Sequence, residues 1–308
     1  MGFFDLHCDT LYRALQNNGS IYENDYHLSI KRGNKLLPWL QCFAIFIPDE
    51  VRKDKAVTLV KDAYKLLLNE IKTHEDEIYF CKTKDDILKS IKIKKCGAIF
   101  TIEGGGALGG NIENLNLFKN MGVKVITLTW NGRCEIGDGV EVFNSKGITD
   151  FGRSAVKKME ELDIIVDISH ASEKLFFDVA SMASKPIIAT HSNSKNVCKH
   201  KRNLTDEQFK IIKSSGGIVG LNFSNNFLND NPQSSTIEDI ILNAEHFLSL
   251  GGEKNVCIGS DFDGTDMPKG ISGIESIVDV AECFLKHNYK ESVVNDILFQ
   301  NAYDFFTR

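Results

Sequence analysis

The sequence predicts an α/β fold, a closed (β/α)8 TIM barrel, on three observations. Eight short apolar runs are continuous rather than alternating, as strands covered on both faces are. Amphipathic helical stretches separate them, so the strands run parallel. The 308 residues sit close to the roughly 250 typical of that barrel, long for one sandwich and short for two independent enzyme domains. No linker or composition shift divides the chain, so one domain over residues 1–308 is expected.

The first run, Phe3–Leu6, is followed at once by His7-Cys8-Asp9. The second, Leu40–Ile47, follows Trp39, which reads as a packing residue, and precedes a helix over Ala56–Lys72. There Val57, Val60, Tyr64, Leu67, Leu68 and Ile71 form one stripe. The third, Ala98–Ile102, ends in Glu103 and then Gly104-Gly105-Gly106-Ala107-Leu108-Gly109. That matches G-x-G-x-x-G, but dinucleotide binding also needs an acidic residue about 20 positions on. Leu128-Thr129-Trp130-Asn131 stands there instead, so the glycines predict a turn with close backbone approach. The fourth run, Val125–Leu128, leads to Trp130. The fifth, Ile164–Ile168, ends in Ser169-His170, and the sixth, Ile187–Ala189, in Thr190-His191. The seventh is Gly217–Asn222, and the eighth, Val256–Ile258, leads to Ser260-Asp261. Thr205–Gln208 and Ser235–Glu238 read as capping boxes opening helices, and Gly251-Gly252 stops the second of them.

Composition excludes several functions. Thirty-six basic against 42 acidic residues leave a net charge of −6, against a nucleic-acid or anionic-membrane partner. The segment from Met1 to His7 lacks the basic and apolar regions of a signal peptide. No run of about 18 apolar residues predicts a membrane span. The eight cysteines form no C-x-x-C pair, so neither a zinc ribbon nor a disulfide framework is expected. The expectation is a cytoplasmic protein with reduced thiols.

The residues that follow the strands carry the chemistry. In a barrel, the strand-end positions of His7, Glu103, His170, His191 and Asp261 converge on one mouth, where active sites are built. Imidazoles and carboxylates together suit zinc and related divalent ions. The period of two in His7-x-Asp9 turns both side chains to one side of an extended chain, so they can grip one ion. Glu103, with two oxygens, can bridge to a second ion completed by His170 and His191. Burying several carboxylates without compensation is costly, and cations remove that cost. His27, His74, His200, His246 and His287 lack ligand spacing, while Asp263 and Asp266 lie in a turn with Gly264 and read as turn formers.

Seven stretches carry a resemblance: Asp5–Thr10, Ile102–Gly105, Gly147–Gly152, Val166–His170, Thr190–Ser192, Arg202–Leu204 and Ile258–Gly264. In this order and spacing, along effectively the whole chain, they resemble the membrane (renal) dipeptidase family. The resemblance implies an amidohydrolase-like barrel and a dipeptidase with two Zn2+. By the same resemblance His7 and Asp9 hold the first zinc, Glu103 bridges, and His170 and His191 hold the second. Asp261 is implied as the catalytic acid/base in contact with substrate, and Arg202 as the residue binding the dipeptide's carboxylate. A homodimer is the assembly that relatives imply.

Two departures bear on activity. Trp130 stands where better-known members carry a histidine that helps hold the substrate, so Trp130 is the expected substrate-binding residue there. Phe227, after Asn225-Asn226, replaces a tyrosine. Trp130 therefore keeps two other readings open. One is another barrel metallohydrolase, acting on cyclic amides or lactones; the other is a non-catalytic metal-binding scaffold whose site Trp130 blocks. The N/O ligand set also admits divalent ions besides zinc.

Overall fold

A computed structural model describes residues 2–308, and its strands form one parallel sheet curled into a barrel. They are β1 (Phe3–Cys8), β2 (Trp39–Phe46), β3 (Ile78–Phe80), β4 (Cys96–Glu103), β5 (Val125–Thr127), β6 (Ile165–Asp167), β7 (Val219–Leu221) and β8 (Val256–Ile258). The order is β6-β5-β4-β2-β1-β8-β7, with β3 paired on β4. Residues 187–189 close the ring through two single bridges, Asp167 to Ile188 and Ala189 to Val219.

Two details differ from the predicted elements. The sixth run is a bridge rather than a ladder, because Pro186 brings no N–H to its start and the chain turns into Thr190-His191 three residues later. β3 was not predicted. It is three residues long and half-exposed, and it pairs with the first part of β4 beneath β5.

Two apolar layers hold the barrel. Phe4, Leu6, Leu40, Cys42, Ile99, Val125, Ile188, Ile218 and Cys257 meet inside it, and Phe299, Phe305 and Phe306 from the C-terminal helical segment plug the end away from the site. The opposite strand faces pack on the helices, which include Asp54–Thr73 over the predicted stripe. Trp39 is fully buried and donates to Gln41 Oε1 at 3.2 Å, a packing role. All eight cysteines are buried and unpaired. Among the described residues no helix is long and apolar enough to cross a membrane.

Local signals mostly act as read. Thr205 and Gln208 form the predicted capping box. The second box is shifted by one residue: Thr236 N donates to Asp239 Oδ2 at 2.8 Å. That start keeps Ile240, Ile241 and Ala244 on the buried face of helix Ile237–Ser249. The glycines after β4 make a tight turn, with Gly104 at φ +108° and Gly105 so placed that a Cβ would lie 2.4 Å from Leu128 O.

The closing seam needs bare backbone. A Cβ on Gly259 would sit 1.8 Å from Thr190 O, and one on Gly220 would sit 2.0 Å from the same oxygen. Gly259→Ala is therefore expected to lower unfolding free energy by about 1–3 kcal/mol or more, measured by urea denaturation. An unchanged midpoint would show that the seam can widen freely.

Candidate active site

The residues nominated at the strand ends meet at the barrel mouth formed by the C-terminal ends of the strands. Ile99 lies in the inner layer of β4, so the period of two carries Glu103 inward as well. On β1, Leu6 is already inward, and strict alternation would turn His7 out. The register against β2 slips between Asp5 and Cys8, and this bulge re-aims His7 into the mouth. Asp9 is not on extended chain, contrary to the reading of the H-x-D spacing. At φ −97°, ψ 10° it stands at the N-cap position of helix Thr10–Gln16 without a side-chain capping bond, and that turn brings its carboxylate back to His7.

His170 and Asp261 adopt left-handed backbone, at φ +66° and +61°. Such strain costs about 1–3 kcal/mol per residue and gathers at functional sites. Gly264 completes the rim, because a Cβ there would lie 2.1 Å from Asp9 Oδ2 and 2.5 Å from Asp261 Oδ1.

Glu103 is the centre of the cluster. Its Oε2 lies 3.6 Å from His7 Nε2, itself 3.4 Å from Asp9 Oδ2. Its Oε1 lies 2.8 Å from His170 Nε2 and 3.5 Å from His191 Nε2. One carboxylate thus offers a separate oxygen to each pair. In each of the triads His7–Asp9–Glu103, Glu103–His170–His191 and His7–His191–Asp261, the ligand atoms lie within 4.8 Å of one another. All six residues are buried, none more than 8% exposed.

Outer partners assign the protons. Asp167 Oδ2 accepts from Thr127 and Thr190 hydroxyls, each at 2.6 Å. Thr190 has thereby committed its proton and accepts from His191 Nδ1 at 2.8 Å. His170 Nδ1 likewise carries the hydrogen and donates it to Asn131 Oδ1 at 2.8 Å. Each ring therefore turns an unprotonated Nε2 inward, and the two are 2.9 Å apart beside Glu103 Oε1. Three lone pairs converge with no proton between them, which suits a shared cation. On the other side, His7 Nε2 and Asp9 Oδ1 have no hydrogen-bond partner.

The electrostatics agree. Burial opposes charge on His7, but Glu103, Asp9 and Asp261 carry its pKa up to about 10. Burial, with Glu103, raises Asp9 to about 7. Burial and the Arg202 guanidinium push His170 well below the usual imidazole value, and burial with His7 lowers His191, leaving both as neutral ligand-type rings. The residues fit a pair of divalent ions in donor type and arrangement.

A cavity of about 290 Å³ opens over Asp9, Glu103 and Asp261, with Trp130 in its wall. Trp130 lines the space and leaves it open, which removes the blocked-site reading. Arg202 lines a smaller space of about 30 Å³ that it shares with His170. It is buried, its Nε lacks a partner, and Nη2 donates weakly to His191 O at 3.4 Å. Burial lowers its pKa to about 10, with Asp261 and Glu103 opposing the fall. Asn222 Nδ2 donates to Asp261 Oδ2 at 2.8 Å.

Sequence reasoning did not nominate Asn131, Asp167 or Asn222, whose partners lie tens of residues away. Asp263 is more than a turn former. Its carboxylate accepts from Thr10 Oγ1 at 2.6 Å, Arg13 Nη1 at 3.2 Å and His27 N at 2.7 Å, tying the first loop to the rim.

A parallel barrel whose C-terminal mouth gathers buried imidazoles and carboxylates around an open cavity defines a metal-dependent hydrolase. Residues 1–306 match the family model described as membrane dipeptidase, peptidase family M19. The chain belongs to that family, a hydrolase of the metallo-dipeptidase class. It is similar to a metallo peptidase from Rhodobacter sphaeroides solved with a phosphinate mimic of the dipeptide L-Ala-D-Ala. The identity is 26%, the TM-score 0.94, and 100% of this chain and 99% of that one are covered. Similarity to the metallo peptidase dipeptidase AC is at 28% identity and TM-score 0.94, covering 100% and 98%. A Klebsiella pneumoniae protein described as uncharacterized, in the pqqA 5′ region, is 31% identical over 230 residues, 72% of this chain and 85% of that protein.

The Asp167–Thr190–His191 relay generates a test. Thr190→Val keeps the shape and removes the acceptor that fixes the His191 proton. Divalent-metal affinity, measured by competition with a chromogenic chelator, is expected to fall about 10- to 100-fold with the circular dichroism spectrum unchanged. Unaltered affinity would remove the relay from any role in tuning the ring.

Proposed function

We propose that the protein is a two-zinc dipeptidase, with His7 and Asp9 as ligands of one ion, His170 and His191 of the other, and Glu103 bridging. The observation that carries this reading is the split of Glu103: one oxygen faces the His7–Asp9 pair and the other faces two inward lone pairs. Bound there, the ions would lower the pKa of a water far below its bulk value, towards about 7, and polarise the scissile carbonyl.

The chain's own residues do the rest. Asn222 occupies Asp261 Oδ2, which leaves Oδ1, 3.9 Å from His7 Nε2, turned to the cluster. Asp261 Oδ1 accepts the proton of the attacking water and returns it to the leaving amine. Arg202, a buried cation with an unpartnered Nε, forks onto the substrate's terminal carboxylate. Its nearness to the cluster leaves room for one residue beyond the scissile bond, and a cavity of about 290 Å³ suits a dipeptide better than a longer chain. The same reading takes residues 1–308 as one domain, in the cytoplasm, with the buried thiols reduced, and assembled as a homodimer.

Chelation is expected to abolish hydrolysis of dipeptides, and added Zn2+ to restore it. Asp261→Asn should cut kcat about 10²- to 10⁴-fold while the protein still carries two equivalents of metal by elemental analysis. Hydrolysis of lactones or cyclic amides in preference to every dipeptide would move the protein to the other barrel metallohydrolases. Activity that survives complete metal removal would end the two-metal reading.

Arg202 has its own test. Arg202→Ala should lower kcat/KM for a dipeptide roughly 10- to 150-fold, the worth of charge-assisted hydrogen bonds of about 1.5–3 kcal/mol. Amidating the dipeptide's C-terminus should cost the wild-type protein a similar factor and the variant almost nothing. Equal sensitivity of both proteins to amidation would reassign the carboxylate contact.

A further inference from the structure

Outside the barrel mouth, one further group of metal-ligating side chains lies between the helices Ile237–Ser249 and Ile277–Lys286. His287 has no ligand spacing to the other histidines, but it stands at the C-cap of the second helix, where its backbone N–H donates to Cys283 O at 3.1 Å. Cys283 and His287 are thus four residues apart on one helical face, the spacing at which two side chains reach the same point. Glu238, from the first turn of the other helix, meets them there. Its Oε2 is 2.5 Å from His287 Nε2, and one donor atom from each of the three residues lies within 4.8 Å of the others. Among the described residues this is the one such group that contains a cysteine.

The three donors narrow the ligand. Thiolate, imidazole and carboxylate make a borderline-soft set that suits zinc or cobalt and not magnesium or calcium. Tetrahedral bonds of about 2.0–2.3 Å set ligand atoms roughly 3.3–3.6 Å apart, so small side-chain rotations close the triad around an ion. Glu245 Oε1 lies 3.4 Å from His287 Nδ1 and can hold the proton there, which frees Nε2 for metal as outer carboxylates do at zinc sites. Cys283, only 4% exposed, forms the floor. His287 and Glu238 are exposed at the rim, so a hydrated ion enters from solvent.

We propose that Cys283, His287 and Glu238 form a separate site for one zinc-type ion, which clasps the two helices together, with water completing the tetrahedron. On binding, the thiol gives its proton to solvent and coordinates as thiolate. With three protein ligands and an open rim, this site holds its ion more weakly than the buried cluster at the mouth, and dialysis strips it first.

The dialysed holoenzyme is titrated with Co2+ and followed by the near-ultraviolet thiolate-to-cobalt charge-transfer band, which nitrogen and oxygen ligands do not give. The band should appear, saturate at one equivalent and disappear as Zn2+ displaces the cobalt. Cys283→Ser should abolish it. His287→Ala should weaken the binding it reports by more than about 100-fold and Glu245→Gln by about 10-fold, with the circular dichroism spectrum unchanged. Added Zn2+ should raise the thermal midpoint of the dialysed wild-type protein and leave that of His287→Ala where it was. Because His287 is exposed, that variant keeps the test open if Cys283→Ser fails to fold. Absence of the band, a band that survives Cys283→Ser, or binding indifferent to His287→Ala overturns the site.

Discussion

Two imidazole nitrogens and a carboxylate oxygen turn lone pairs toward one another at the barrel mouth, with every available proton already held elsewhere. His191 gives its hydrogen to Thr190 and His170 gives its own to Asn131, so nothing remains to bridge Nε2 to Nε2 across 2.9 Å. In buried surroundings such acceptors repel unless a cation lies among them. Much of the upper barrel is arranged to hold that geometry. Asp167 orients Thr190, a bulge in β1 aims His7, Gly264 leaves room beside Asp9 and Asp261, and left-handed backbone at His170 and Asp261 delivers the last two side chains.

That strain has to be offset, and the lower barrel is where the offset lies. The inner apolar layer and its C-terminal phenylalanine plug stabilise the end away from the site, while the mouth carries the unpaired and strained groups. The division is typical of this barrel, where one face serves stability and the other chemistry. It also gives the site two unlike flanks, a buried arginine on one side of His170 and aromatic rings on the other.

The fold was legible because strands buried on both faces leave continuous apolar runs, and seven of the eight runs became ladders at nearly their predicted bounds, as β1, β2 and β4 illustrate. Residues 187–189 are also a stave, but bridges there replaced a ladder. Asp9 joined the cluster from the N-cap position of a helix, a conformation that residue spacing does not reveal. The polar residues at strand ends were readable for the same reason as the strands, since period and position alone bring them to one rim. The relay residues were not, because Thr190, Asn131 and Asn222 acquire meaning only from neighbours 20 to 40 positions away. Positive φ at His170 and Asp261 was hidden too, since only glycine advertises that conformation in sequence. What Arg202 and Trp130 face came from the fold; the roles first attached to them came from family resemblance.

The most direct measurement is anomalous X-ray scattering from crystals of the zinc-loaded protein, with data on both sides of the zinc absorption edge. Two peaks of comparable occupancy should lie on either side of Glu103, one against His7 and Asp9 and the other against His170 and His191. A single peak, or density whose nearest ligands exclude Glu103, would contradict the paired-cation centre on which the proposed chemistry is built.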